Sequence, residues 1–506
     1  MGARRGVVLC CVAYTDGDRV RSRTKRQLIG GVVGAVLLAA VPAVAAYSWT
    51  GAKVRVVITG QPATQAQTRA LIEREGGTWV KSLDVLDGGI ADVPSDGIEP
   101  LRRSGWIQSV VVEQGPKAVF SSMPTVSVAP EKIADNDDII FATNARNASW
   151  SGRHGQGVDI AMIDSGVAPV ASLHAGKLRH IDVVTGKLVP GSDQVYDKVG
   201  HGTHLAGVLI GDPNGPLGAG VSYASNLVSV NVTNASGGAS LSEVLAGIDA
   251  IIKNKNTDGL NVRVLLMAVG FDSNSPGGRL VMRATEKAVS SGIVVVAAAG
   301  NGGNFLWRLD SPAASPAVIA VAAENLNNVT DAKDDWAAGF SQYASSRAPD
   351  VMAPGVSVRS ARVPGSLIDE VFPGGRVDQT SFLGSGTSQA AAVAAGLVAK
   401  LLSERPNLTP NEVKAVLKVS ARKLPGVPEY LGGAGAIDYE NARWNPVPWG
   451  GAPAWTPSAM IVWGSYDPVK YDDTQGGQLE GTRWTGTRWT GTRWTGTRWT
   501  ALGETV

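Results

Sequence analysis

Gly157-Val158-Asp159-Ile160-Ala161-Met162-Ile163-Asp164-Ser165-Gly166 is an apolar run that ends abruptly on an acid, a hydroxyl and a glycine. A short continuous apolar stretch closed by turn residues reads as a strand buried on both faces, with Asp164 at its carboxyl end. Apolar runs at 227–232, 262–269, 293–299 and 318–322 follow, and helical stretches at 204–209, 241–253, 278–290 and 388–403 alternate with them. That alternation predicts an α/β fold: a mostly parallel sheet with helices on both faces. Reactive groups in such sheets gather at the carboxyl ends of strands, where Asp164 and Asn301 both fall.

Two further strings complete a constellation. His201-Gly202-Thr203-His204 and Gly386-Thr387-Ser388 follow Asp164 in chain order, so an acid, a base and a hydroxyl each sit in a glycine-bearing motif. A serine hydroxyl attacks a carbonyl only if a base removes its proton, and a neutral imidazole can both take and return that proton near pH 7. A carboxylate on the other ring nitrogen fixes the tautomer. Ser388 opens the small-residue helix Gln389-Ala390-Ala391-Ala392-Val393-Ala394-Ala395-Gly396, whose dipole and first N–H groups favour a developing oxyanion. Taken singly, each string has a plainer reading as a turn or a helix cap. A metal site on the two histidines lacks the zincin spacing and its intervening Glu, so no metal ligands are assigned.

With these residues in order, residues 150–442 resemble a subtilisin-type serine protease, a subtilase of peptidase family S8. The resemblance implies Asp164 as the orienting acid, His201 rather than His204 as the base, and Ser388 as the nucleophile and one oxyanion donor. Asn301, in Ala297-Ala298-Ala299-Gly300-Asn301, matches the second oxyanion donor. Asp350-Val351-Met352-Ala353-Pro354-Gly355 and Pro316-Ala317-Val318-Ile319-Ala320-Val321 match framework strings. Met267-Ala268-Val269-Gly270-Phe271 stands where the family has Met-Ser-Leu-Gly-Gly, whose backbone lines one side of the pocket for the residue before the scissile bond. Gly238, Ala268, Val269, Gly270 and Gly300 are therefore implied substrate-binding positions, with Phe271 narrowing the pocket. Asp310 precedes Ser311-Pro312, where the resemblance puts the pocket floor; a buried carboxylate there would favour Lys or Arg in the substrate, and a solvated loop aspartate is the alternative. The chain departs from the family just behind the nucleophile, carrying Ala391 and Ala392 where serine and proline are usual. No cofactor is required for the chemistry. Structural calcium is implied by resemblance alone, and the 212–218 loop keeps little of the calcium pattern beyond Asn214.

The remaining segments differ in composition. The 506 residues carry a formal net charge of +2, and no basic cluster marks the central region, so nucleic acid is not an expected partner. The only cysteines, Cys10 and Cys11, are adjacent and leave no pair to staple the folded part. Residues 1–46 form a basic leader and an apolar run, 28–46, ending in Ala43-Val44-Ala45; this reads as a secretory signal peptide, or as an uncleaved membrane anchor at the cell surface. Residues 51–114 alternate as βαββαβ, an α+β ferredoxin-like sandwich. By position they are similar to the inhibitory prodomains of subtilisin-like proteases, which implies an autoprocessed zymogen. Residues 115–149 link this segment to the main domain. Residues 443–506 hold a five-residue period, Gly481-Thr482-Arg483-Trp484-Thr485, repeated through Trp489, Trp494 and Trp499. Five matches neither helix nor strand periodicity, so the tail reads as an exposed, flexible or turn-based array. Its Arg-Trp pairs allow cation–π and stacking contacts with glycans, envelope polymers or nucleic acid, and a flexible stalk without a specific ligand is the alternative. The expected function is a secreted serine endopeptidase acting on proteins or peptides. The alternative is an inactive subtilisin-like scaffold or envelope-binding protein working through the tail.

Overall fold

The computed structural model describes residues 52–113, 133–146, 152–189, 197–303, 308–326, 335–344, 347–448 and 492–494. The leader with its apolar run, both cysteines, residues 115–130, where the enzyme is expected to cut itself, and most of the repeat tail lie outside them. Among the described residues no helix is long and apolar enough to cross a membrane.

The chain first forms β1 (Lys53–Gly60), α1 (Gln65–Arg74), β2 (Thr78–Leu83), β3 (Gly88–Pro94), α2 (Ile98–Arg102) and β4 (Ile107–Val112). These strands make an antiparallel sheet in the order β2-β3-β1-β4. After α3 (Asn136–Ala142) come β5 (Asp159–Asp164), β6 (Leu178–Asp182), β7 (Lys187–Val189), α4 (His201–Ile210) and β8 (Asn226–Asn231). There follow α5 (Leu241–Asn254), β9 (Val262–Met267), β10 (Val269–Phe271), α6 (Pro276–Ser290), β11 (Val294–Ala298), β12 (Ile319–Asn325) and β13 (Trp336–Ala337). The domain closes with β14 (Val351–Pro354), β15 (Val358–Ala361), α7 (Leu367–Val371), β16 (Ser381–Gly384), α8 (Thr387–Glu404), α9 (Pro410–Ser420), α10 (Glu429–Gly432) and α11 (Tyr439–Trp444), and the tail contributes β17 (Thr492–Trp494).

The main sheet runs β13-β12-β11-β9-β5-β8-β6-β7, with β14 on β12, and it is parallel except where β13 and β7 are added. Its covering by two helical layers is visible in a single strand. Ile160 and Met162 of β5 pack into one core with α4, α8 and α9, whereas Ala161 and Ile163 pack into the other with α5 and α6. Successive side chains of a strand point to opposite faces, so a strand buried on both must be apolar throughout. Each large aliphatic side chain so buried contributes about 1.5–3 kcal/mol. Helix α8 crosses this core, with Ala390 through Ala395 fully buried. Alanine at 391 and 392 keeps α8 unbroken, since it is the best helix former and donates its own N–H.

The amino-terminal sheet lies against α5 and α6. Val57, Leu83, Leu86 and Ile90 join the core beneath those helices. The Val85 N–H donates to Asp249 (2.9 Å), and Lys253 pairs with both Asp84 and Asp249. The Glu113 carboxylate accepts the Ser242 N–H (2.7 Å) and hydroxyl (2.9 Å) at the first turn of α5, where the helix dipole favours an anion.

Three expectations change in detail. The helix expected at 204–209 begins at His201. The run 262–269 breaks at Ala268 into β9 and β10. One tail repeat, expected in a turn-based or flexible array, is extended: β17 pairs antiparallel with β10.

Candidate active site

Asp164 ends β5 fully buried, and its carboxylate has two uses. Oδ1 accepts the Ser165 N–H (2.7 Å), and Nδ1 of His201 stands 2.8 Å from Oδ1 and 2.9 Å from Oδ2. A carboxylate only accepts, so Nδ1 carries the proton and Nε2 is left as the basic nitrogen. Both side chains are shielded from water, which strengthens their interaction.

The two glycine-bearing strings interlock. The Gly202 N–H donates to Ser165 Oγ (2.9 Å), and a Cβ on Gly202 would stand 2.1 Å from the Gly166 carbonyl oxygen. Only glycine lets α4 come this close to the turn after β5. Asp197, which the sequence reading missed, holds the start of α4. Its carboxylate accepts the N–H groups of Val199, Gly200 and Thr203 and the Thr203 hydroxyl, at 2.7–3.1 Å. Burial pushes the Asp197 carboxyl up from its usual range, and the hydrogen bonds from Thr203 and Gly200 oppose that shift. An acid one turn ahead of a helix was the available signal.

His204 is placed differently. Its Nε2 faces the Phe382 carbonyl (3.2 Å) and its Nδ1 the Gln389 side-chain amide (3.4 Å). Burial pushes its pKa down to about 3, so it is a neutral tie between α4 and α8.

Ser388 is the second residue of α8 and fully buried. Asn301 reaches it through Thr387. Asn301 Oδ1 accepts both the Thr387 N–H and the Thr387 hydroxyl at 2.9 Å, and that hydroxyl accepts the Gly300 N–H (3.1 Å). With its oxygen so held, the amide presents its NH2 end as donor. Gly300 has φ +109°, and a Cβ there would meet Gln342 Oε1 at 2.3 Å and Asp310 Oδ2 at 2.8 Å. Asp310 therefore lies against the residue before Asn301, 1% exposed, with Oδ1 accepting from Gln342 Nε2 (3.1 Å). Gln342, also missed, accepts the Gly302 N–H through Oε1 (2.9 Å).

Ala268 and Val269 are fully buried, and Val269–Phe271 forms β10. The Phe271 N–H donates to the Ser311 carbonyl and the Ser311 N–H to the Phe271 carbonyl. Phe271 itself packs into the core beneath α5 and α6, so the expected narrowing of the pocket by its ring is corrected. Gly238 lies in the loop after β8, where its N–H donates to Asn234 Oδ1 (2.9 Å). Among the described residues no three His, Cys, Asp or Glu converge as a metal cage. Asp212 turns back on the Asn214 N–H (2.9 Å).

Residues 155–436 match the model of the subtilase family, peptidase S8. The chain is 35% identical to the serine protease AprX of Bacillus subtilis over 60% of its own length and 70% of that protein's. It is 34% identical to subtilisin amylosacchariticus of Bacillus subtilis subsp. amylosacchariticus over 75% of this chain and 86% of the relative. Its fold resembles that of fervidolysin from Fervidobacterium pennivorans, described as a keratinolytic enzyme related to subtilisin. The TM-score is 0.62 at 20% identity, over 78% of this chain and 62% of that one. Fold and family together define a hydrolase of the serine endopeptidase class. The chain belongs to the subtilase family.

Proposed function

We propose that this endopeptidase works through Ser388, with His201 as general base and acid, Asp164 as the group that orients His201, and the Ser388 backbone N–H and Asn301 amide as oxyanion donors. The reading rests above all on one observation: a buried carboxylate grips Nδ1 of His201 from 2.8–2.9 Å and leaves Nε2 to act. In acylation, His201 takes the Ser388 proton as Oγ bonds to the substrate carbonyl carbon. The carbonyl electron pair moves to oxygen and is met by the two donors. Collapse of that intermediate breaks the C–N bond, and His201 returns the proton to the leaving amine. Water then repeats the sequence on the ester, releasing the acid and regenerating Ser388. Every proton and electron pair is accounted for by side chains, substrate and water.

Asp310, buried beside Gly300, serves in this reading as the carboxylate that favours a basic substrate side chain. The protein is made as a zymogen for export: residues 51–114, whose sheet docks on α5 and α6 with Glu113 at the head of α5, are its inhibitory prodomain, and the enzyme cuts the linker that follows. A serine-directed fluorophosphonate probe tests the central assignment. It should label the wild type and not Ser388→Ala, and Ser388→Ala should accumulate as the longer unprocessed chain. A folded wild type that never labels would instead assign the scaffold function.

A further inference from the structure

We infer that the repeat tail is a built-in competitor for the substrate-binding edge, one Thr-Arg-Trp repeat at a time. The inference rests on the proposed reading of Ala268–Gly270 as substrate-binding backbone. Strand β10 has two edges, and Ser311 takes one of them through Phe271, whose N–H and carbonyl both point that way. Hydrogen-bonding groups alternate along a strand, so the N–H and carbonyl of Gly270 point to the other edge. That edge is where β17 adds, antiparallel, with Gly270 opposite Arg493, Val269 opposite Trp494 and Phe271 opposite Thr492. Addition of an extended peptide to an open sheet edge is a general mode of peptide recognition, with affinity drawn from the backbone. A peptide substrate seated on Gly270 would need the same N–H and carbonyl, so tail and substrate exclude each other.

The repeat design fits this use. Thr-Arg-Trp recurs at 482–484, 487–489, 492–494 and 497–499. In an extended chain, residues an odd number apart face opposite sides, so the next repeat cannot continue along the sheet in the same orientation. One copy docks and the others are spares that raise the local concentration of the same ligand. Tethered ligands reach effective concentrations in the millimolar range, enough for a weak three-residue strand to compete.

The test uses the full chain with Arg483→Pro, Arg488→Pro, Arg493→Pro and Arg498→Pro together. Proline lacks the N–H that the residue opposite Gly270 must donate. Relative to wild type, the Gly270 amide should exchange hydrogen about tenfold faster, and KM for an extended peptide substrate should fall about 3- to 10-fold with kcat unchanged. A synthetic peptide of residues 481–500 should restore the higher KM competitively. Unchanged Gly270 exchange overturns the inference, as does a tail that binds cell walls while leaving exchange and KM alone. Fluorophosphonate labelling, run on the same samples, reports separately on Ser388. If neither chain labels, the catalytic reading fails, and Gly270 exchange still decides the docking of the tail.

Discussion

Asp164 and Asp350 are both buried aspartates of the main sheet, at opposite ends of its strands, and their partners differ in kind. Asp164 ends β5 against one imidazole. Asp350 precedes β14 among cations: Arg347 at 2.7 Å, Lys414 at 3.0 Å and Lys418 at 3.6 Å, with the Ala320 N–H at 2.9 Å. Against the opposing effect of burial, Lys414 and Arg347 hold the Asp350 carboxyl below its usual range. Burial in turn pushes Lys414 down to about 8. Arg347, whose charge is permanent, and the two lysines make Asp350 a clamp on the amino ends of β12 and β14. In the proposed mechanism Asp164, facing an imidazole in place of cations, stabilises the charge that His201 gains and loses in each turnover. Under that mechanism the same side chain serves stability at one end of the sheet and chemistry at the other.

Exchanging the damage breaks this comparison most directly. Asp164→Asn should cost about 10⁴-fold in kcat with little change in unfolding free energy. Asp350→Ala should cost about 3–5 kcal/mol of stability, because it strands buried cations, while kcat at a temperature where the variant is folded stays near wild type. Denaturant unfolding and steady-state kinetics on both variants decide it, and a large stability loss in the first or a large kcat loss in the second would erase the distinction.

A second buried group sharpens the point. His180 is 4% exposed, neither ring nitrogen has a hydrogen-bond partner among the described residues, and burial pushes its pKa down to about 4. The folded state therefore prefers it neutral. Its contribution to stability is complete above the unfolded pKa of about 6.5 and is lost as pH falls towards 4, at up to about 1.4 kcal/mol per pH unit. His204, pushed to about 3, acts with the same sign. Denaturant unfolding of His180→Leu between pH 7 and 4 should show roughly half the wild-type slope; an unchanged slope would assign the acid sensitivity elsewhere.

Asp310 offers the smallest effect. Matched peptides ending in Arg or Phe before the scissile bond should show an Arg preference in the wild type that drops by about tenfold in kcat/KM ratio in Asp310→Ala. A constant ratio would make Asp310 a structural acid like Asp350, held by Gln342.

These contrasts follow how legible each part was. The two-sided layers were readable because β5, β9 and β11 are apolar on both faces and the intervening helices are long enough to show their own period. Strands such as β13 and β15, two and four residues long, carry too little pattern. The reactive strings were readable because three residue types recur in glycine-bearing motifs. Gln342 was not, because what defines it is the set of neighbours that folding supplies, and Asp197 offered only its place one turn ahead of α4. Helix α4 began earlier than its apolar pattern because its first turn is fixed by the Asp197 carboxylate. Five-residue repetition in the tail gave no sign of β17, because periodicity describes a long element and the strand described there is three residues long.

His204 bonds to Gln389, Thr387 to Asn301 and Gly202 to Ser165, so the segments that carry the reacting groups are stitched to one another below the surface. One segment so tied moves away only by breaking the bonds that also hold its neighbours. Warming should therefore not wear the enzyme down by degrees: it stays fully competent until the domain melts, and then it fails at once.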